Sequence, residues 1–183
     1  MATHMRSLIA PMAIAAVLVA GVAAAAAWGG AGGSSDLGAA TAATARFHTL
    51  ATAKAAGYGL LKDKNGIACI AMDSMPGMGA MGVHYAKSSL VADGKLNIRR
   101  PEALVYAPSG GGRLDLAAVE YVVLKQAWDA HHASRPVLFG RGFNETPAGN
   151  RFGLPAYYSL HVWLWRTNPS GLFSMWNPEV SCK

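Results

Sequence analysis

Methionine and histidine side chains form the densest group of potential metal ligands in this chain. Four methionines and one histidine follow one another at intervals of three residues: Met72, Met75, Met78, Met81 and His84. Thioether sulfur is a soft donor that suits Cu(I), and imidazole binds copper in either oxidation state. The pattern predicts copper binding with Met78, Met81 and His84 among the ligands. Methionine is also an adaptable filler of protein cores, and that alternative stays open.

A carboxylate is predicted on the apolar side of a strand. In the run from Arg113 to Lys125, alternation places Glu120 in the same row as Leu116, Val122 and Leu124. A carboxylate in such a row is costly to bury unless it meets a partner or a cation. Glu120 is therefore a candidate ligand.

A second histidine lies in the middle of a predicted strand. His161 shares its face with Trp163 and Trp165 in the run from Tyr157 to Arg166. If it converges with His84 and Glu120, the two imidazoles and one carboxylate could hold Zn(II), Fe(II) or Cu(II) with open coordination positions. The alternative is a buried hydrogen-bonded network that holds no metal.

Aromatic side chains near these ligands predict a groove for a small molecule. Tyr85, Trp163 and Trp165 are its candidate lining residues. Three functions are then open: a metal-binding protein, a metal-dependent enzyme that uses the same His and Glu residues, and a metal-free binding module with an aromatic groove. The predicted partner is a metal ion or a small molecule.

The first 27 residues have the features of a signal peptide. Arg6 precedes an uncharged apolar run that ends in small residues at Ala23–Ala27. We expect export to the periplasm or the exterior, with a membrane contact only if this segment is retained. Residues 28–38 are rich in glycine and serine and predict a flexible tether, and residues 39–183 predict one exported domain.

The cysteine count and the charge further limit the function. Cys69 and Cys182 are the two cysteines, and in an oxidising compartment they are expected to form a disulfide, with a two-thiolate metal site as the alternative. The formal net charge is +6, but Arg99-Arg100 is the one basic pair, so a nucleic-acid partner is not expected. No nucleotide-binding loop or G-x-S-x-G nucleophile motif is present.

The secondary structure that must position these residues can be predicted from the sequence, and it indicates an α+β fold. An alanine-rich amphipathic pattern over 41–56 predicts one N-terminal helix, and Gly57 follows it. The rest of the domain predicts a small antiparallel sheet or barrel on which that helix packs. The predicted strands cover 83–86, 102–107, 113–125, 157–166 and 172–176, and residues 128–155 predict a loop.

A set of short segments resembles a group of exported bacterial proteins of unassigned function. The segments are Gly79–Tyr85, Pro101–Tyr106, Val119–Tyr121, Leu160–Trp165, Asn168–Gly171 and Asn177–Cys182. They span nearly the whole predicted mature chain. The resemblance implies a single exported domain and implies no particular reaction.

Overall fold

The protein is described by a computed structural model that covers Met1 and residues 31–183. The predicted signal peptide, apart from Met1, and the first three residues of the predicted tether lie outside these described residues. Among the residues that are described, no helix combines the length and apolar character needed to cross a membrane.

The helices are short and lie mainly at the start of the domain. In residues 31–183 they are α1 (Ala31–Thr44), a 3₁₀ segment (Ala45–His48), α2 (Leu50–Ala55), α3 (Ser88–Val91) and α4 (Lys125–Asp129). α1 thus begins within the predicted tether. The helical pattern over 41–56 is split, since Phe47 is buried in the core and its carbonyl accepts a hydrogen bond of 2.7 Å from the Tyr106 hydroxyl. A tertiary contact therefore interrupts a sequence that favours continuous helix.

Seven of the strands form one open antiparallel sheet. The strands of residues 31–183 are β1 (Gly59–Leu60), β2 (Cys69–Ala71), β3 (Ala80–Ala86), β4 (Ala103–Ser109), β5 (Arg113–Leu124), β6 (Val137–Leu138), β7 (Arg141–Gly142), β8 (Asn144–Thr146) and β9 (Tyr157–Val162). The order in the sheet is β1-β3-β4-β5-β9-β8, β2 also pairs with β3, and β6 and β7 form a separate pair. This arrangement confirms the α+β class and shows a sheet that does not close into a barrel.

The strand predictions are largely confirmed, with differences at the ends. β4 and β5 form an antiparallel hairpin across the glycine turn at 110–112, whereas β9 ends at Val162 and residues 172–176 form no strand. The predicted loop over 128–155 contributes three short strands, of which β8 pairs with β9. Isolated edge strands of two or three residues carry too little sequence pattern to be recognised.

The two faces of the sheet differ in their packing. One face carries most of the large core residues and is covered by the N-terminal helical segment through Phe47 and Ala53. We call it the helix-covered face. We call the other face the second face. Its cluster of buried apolar residues is smaller and includes Val105, Trp163 and Val180.

A β-bulge in β5 decides which face Glu120 occupies. Tyr106 pairs with Leu116 while Val105 pairs with Ala118, so one residue of β5 is extra. Leu116 consequently packs on the helix-covered face, and Glu120 lies on the second face with Val122. The predicted shared row of Leu116 and Glu120 was wrong, because the bulge reverses the alternation between them.

The predicted disulfide joins Cys69 to Cys182. Their Cα atoms lie 5.7 Å apart, and 113 positions separate them in the chain. The bond fastens the C-terminal segment to β2, beside Val180 and the second-face cluster.

Candidate metal centre

Three strands bring His84, Glu120 and His161 together on the second face. Glu120 on β5 stands directly opposite His161 on β9, and His84 on β3 is opposite Val105 of the intervening β4. β4 contributes only Ala103 and Val105 to this part of the face, so no large side chain separates His84 from Glu120. The predicted convergence of the two imidazoles and the carboxylate is therefore present.

The potential ligand atoms are close together. His84 Nε2 lies 3.5 Å from Glu120 Oε2, and His161 Nδ1 lies 3.9 Å from Glu120 Oε1. One ligand atom from each residue falls within 4.8 Å of the other two. Ligands at about 2.1 Å from a tetrahedral ion would lie about 3.4 Å apart, so a small movement of the side chains would complete such a site. The group could hold a metal ion.

The imidazole nitrogens are buried without hydrogen-bond partners. His84 is 1% exposed and His161 is 2% exposed. In the described residues, none of their four ring nitrogens has a hydrogen-bond partner. Each unsatisfied buried polar atom costs about 1–3 kcal/mol. Two such rings facing one carboxylate form a costly arrangement that a cation bound to one nitrogen of each ring would relieve in part.

The surroundings keep both histidines neutral at pH 7. Burial lowers the pKa of His84 to about 4, and a contact with the Gly82 backbone outside hydrogen-bond geometry offsets part of this shift. Burial also lowers the pKa of His161 well below its ordinary value, and His84 lowers it further. A neutral imidazole has a free lone pair for a metal. The contact between His84 and Glu120 is accordingly not an ion pair at neutral pH.

Glu120 is the carboxylate of the group and is only slightly accessible. Its side chain is 11% exposed. Burial raises the pKa of Glu120 to about 7, and an interaction with the Ser159 side chain opposes part of that shift. A nearby cation would favour the ionised form.

Neighbouring side chains hold the candidate ligands in position. The His161 ring stacks on Trp163 with centroids 5.2 Å apart, and Trp163 Nε1 donates a hydrogen bond of 2.6 Å to the Ser174 carbonyl. The His84 and His161 rings meet edge to face with centroids 5.6 Å apart. Such outer contacts fix the orientation of ligating rings.

The predicted methionine ligands lie in different surroundings. Met78 is 37% exposed on the loop between β2 and β3, whereas Met81 is buried within β3. Met72 and Met75 line an open concavity of about 570 Å³ beside the disulfide. A role for Met78 and Met81 as ligands stays a prediction.

The predicted aromatic groove is divided between two places. Trp163 and Trp165 line one surface concavity of about 430 Å³. Tyr85 packs against Tyr106 in the core of the helix-covered face, with ring centroids 5.4 Å apart. The structure does not bring Tyr85 to that concavity.

Sequence reasoning did not find a separate apolar cavity that reaches Glu120. It has a volume of about 250 Å³ and lies between the sheet and the segment that carries Phe152 and Leu154. No local pattern indicates it, because its walls come from β3, α3, β4, β5, β9 and that segment.

Glu102, a second buried carboxylate, does not join the group. It is 2% exposed, and its Oε2 accepts a hydrogen bond of 2.9 Å from the Val122 backbone N–H. Burial raises the pKa of Glu102 to about 8. The Glu102 carboxyl group thus binds the backbone of β5 next to the start of β4.

Comparison with known proteins identifies no relative of this chain. No protein-family model, curated protein or solved structure is significantly similar to the chain. The function must therefore be argued from the site itself.

Proposed function

We propose that this is an exported metal-binding protein whose centre consists of His84, Glu120 and His161. The observation that carries the proposal is the burial of two imidazole rings that face one carboxylate and whose nitrogens make no hydrogen bond in the described residues. A hydrogen-bonded core network would leave few such atoms unsatisfied. A divalent cation would give both rings a partner and would compensate the charge of Glu120.

The donor set favours copper or zinc over hard cations. Two imidazole nitrogens and one carboxylate oxygen suit Zn(II), Fe(II) and Cu(II), and Cu(II) is expected to bind most tightly in the order of divalent first-row metals. We therefore propose that Cu(II) binds to this centre most tightly, followed by Zn(II). The thioethers of Met78 and Met81 would contribute chiefly to binding of Cu(I).

The proposed location rests on two features. The N-terminal sequence has the charge and apolar pattern of a signal peptide. The Cys69–Cys182 disulfide supports an oxidising compartment, where such bonds persist.

Metal titration of the exported protein tests the proposal. The protein is produced in an oxidising compartment without a histidine tag, stripped with chelator and titrated with Cu(II), Zn(II) and Fe(II). We expect one equivalent to bind, and we expect His84→Ala to abolish that binding. His131→Ala is the matched control, because His131 is exposed and lies outside the group.

Folding must be monitored in the same samples. The near-ultraviolet circular dichroism of His84→Ala should match that of the unsubstituted protein, since the disulfide is intact. Full metal uptake by a folded His84→Ala variant would contradict the proposal, as would an absence of uptake by the unsubstituted protein.

A further inference from the structure

The apolar cavity and the proposed metal centre share one residue. Glu120 lines the cavity and is also the carboxylate that faces His84 and His161. Glu120 is therefore the side chain at which the cavity adjoins the proposed centre. A molecule in the cavity would approach the carboxylate and any ion that it binds.

The cavity walls are apolar apart from a few groups. Much of the lining comes from apolar and aromatic side chains: Val122, Leu124, Phe152, Leu154 and Tyr157. Among the described residues around it, Glu120 is the one carboxylate, and no lysine, arginine or histidine takes part. Such a site resembles small-molecule pockets, in which apolar walls surround a few polar groups that fix the orientation of the ligand.

The volume sets the size of the occupant. A cavity of about 150 Å³ can hold benzene, so the 250 Å³ measured here has room for one ring and a small substituent. A larger metabolite such as a nucleotide would not fit within it.

The charge of the loaded centre sets the polarity of the substituent. Two neutral imidazoles and one carboxylate around a divalent ion leave one net positive charge in a buried place. Burial of an uncompensated charge is costly, so an anionic donor would be favoured at an open coordination position.

We infer that the cavity binds a small apolar monoanion, such as an aromatic or short aliphatic carboxylate, whose charged group is drawn to the metal centre. This inference rests on the proposed function, because the metal supplies the attraction for the anion. The apolar walls supply selectivity for a ligand with a ring-sized hydrophobic group.

Benzoate binding to the zinc-loaded protein tests the inference. Zn(II) avoids redox complications, and acetate provides the same charged group without the ring. We expect benzoate to bind at least about tenfold more tightly than acetate, because burial of a ring contributes on that scale. We also expect binding to be lost in the metal-free protein.

A cavity-filling variant separates the cavity from the metal centre. Ala86→Phe adds a ring within the cavity lining, and Val137→Phe adds the same ring on exposed β6 as the control. Ala86→Phe should lower benzoate affinity by at least about tenfold while retaining one equivalent of zinc. Val137→Phe should change neither quantity.

The outcomes distinguish failure of the cavity from failure of the centre. Zinc uptake without benzoate binding, or equal affinity for acetate and benzoate, would overturn the inference and leave the metal proposal standing. Equal benzoate affinity with and without zinc would overturn the role of the metal in attracting the anion. An absence of zinc binding would overturn this inference, and an absence of copper and iron binding as well would overturn the metal proposal.

Discussion

Replacement of His161 by Leu should stabilise the metal-free protein. The substitution removes two buried ring nitrogens that have no hydrogen-bond partner, each costing about 1–3 kcal/mol. It also removes the stacking of His161 on Trp163, which is worth about 0.5–1.5 kcal/mol. The expected net gain in the free energy of unfolding is about 2 kcal/mol, or about 4–8 °C in the melting temperature for a domain of this size.

Equilibrium urea unfolding in the presence of chelator measures this effect. His131→Leu is the control and should shift the free energy of unfolding by less than about 0.5 kcal/mol, because its side chain is exposed. With metal in thousandfold excess over the dissociation constant, the unsubstituted protein should gain about 4 kcal/mol and become the more stable of the two. A loss of stability in metal-free His161→Leu would refute the reasoning, since it would mean that the ring nitrogens are satisfied as a buried network.

Three further predictions concern the scaffold. Because burial raises the pKa of Glu102 to about 8, the folded state keeps a proton that the unfolded chain releases above about pH 4.5, so the contribution of Glu102 to stability should fall as pH rises from about 5 to 8. Urea unfolding at both pH values should show a smaller fall for Glu102→Gln, and an unchanged pH profile would contradict this assignment. Joint replacement of Cys69 and Cys182 by Ala should lower the free energy of unfolding by about 5 kcal/mol, given their separation of 113 positions, and a loss below about 1 kcal/mol in urea unfolding would contradict it. Gly82→Ala should lower the free energy of unfolding, measured by thermal unfolding, by about 2 kcal/mol or more, because Gly82 has φ +107° and a Cβ there would lie 2.6 Å from the Tyr106 carbonyl oxygen. Gly77→Ala is the control and should lower it by less, because a Cβ at Gly77, with φ +87°, would meet open space.

The residues of the site could be predicted more readily than their surroundings. His161 was recognisable because a histidine between aromatic residues in a strand is unusual, and it stacks on Trp163, with which it was predicted to share a face. Glu120 was correctly placed in a row with Val122 and Leu124, whereas Leu116 was not, because the bulge near Ala117 leaves no signature that alternation can detect. The convergence of His84, Glu120 and His161 could not be derived without the strand order, because that order depends on pairing between distant parts of the chain.

The helix and the cavity show a second limit. Local propensity favours a continuous helix over 41–56, whereas the buried Phe47 and its hydrogen bond to Tyr106 divide it. The cavity beside Glu120 depends on how the 152–155 segment packs across the sheet. Both features arise from tertiary contacts, which single-sequence patterns do not encode.

X-ray absorption spectroscopy on the protein loaded with one equivalent of Cu(II) tests the central claim most directly. We predict a nitrogen and oxygen shell near 2.0 Å, multiple scattering from two imidazoles and no sulfur ligand, and loss of this bound-copper spectrum in His161→Leu. Sulfur in the first shell would instead identify the methionines as ligands. A copper shell that is unchanged by His161→Leu would contradict the assignment of the centre to His84, Glu120 and His161.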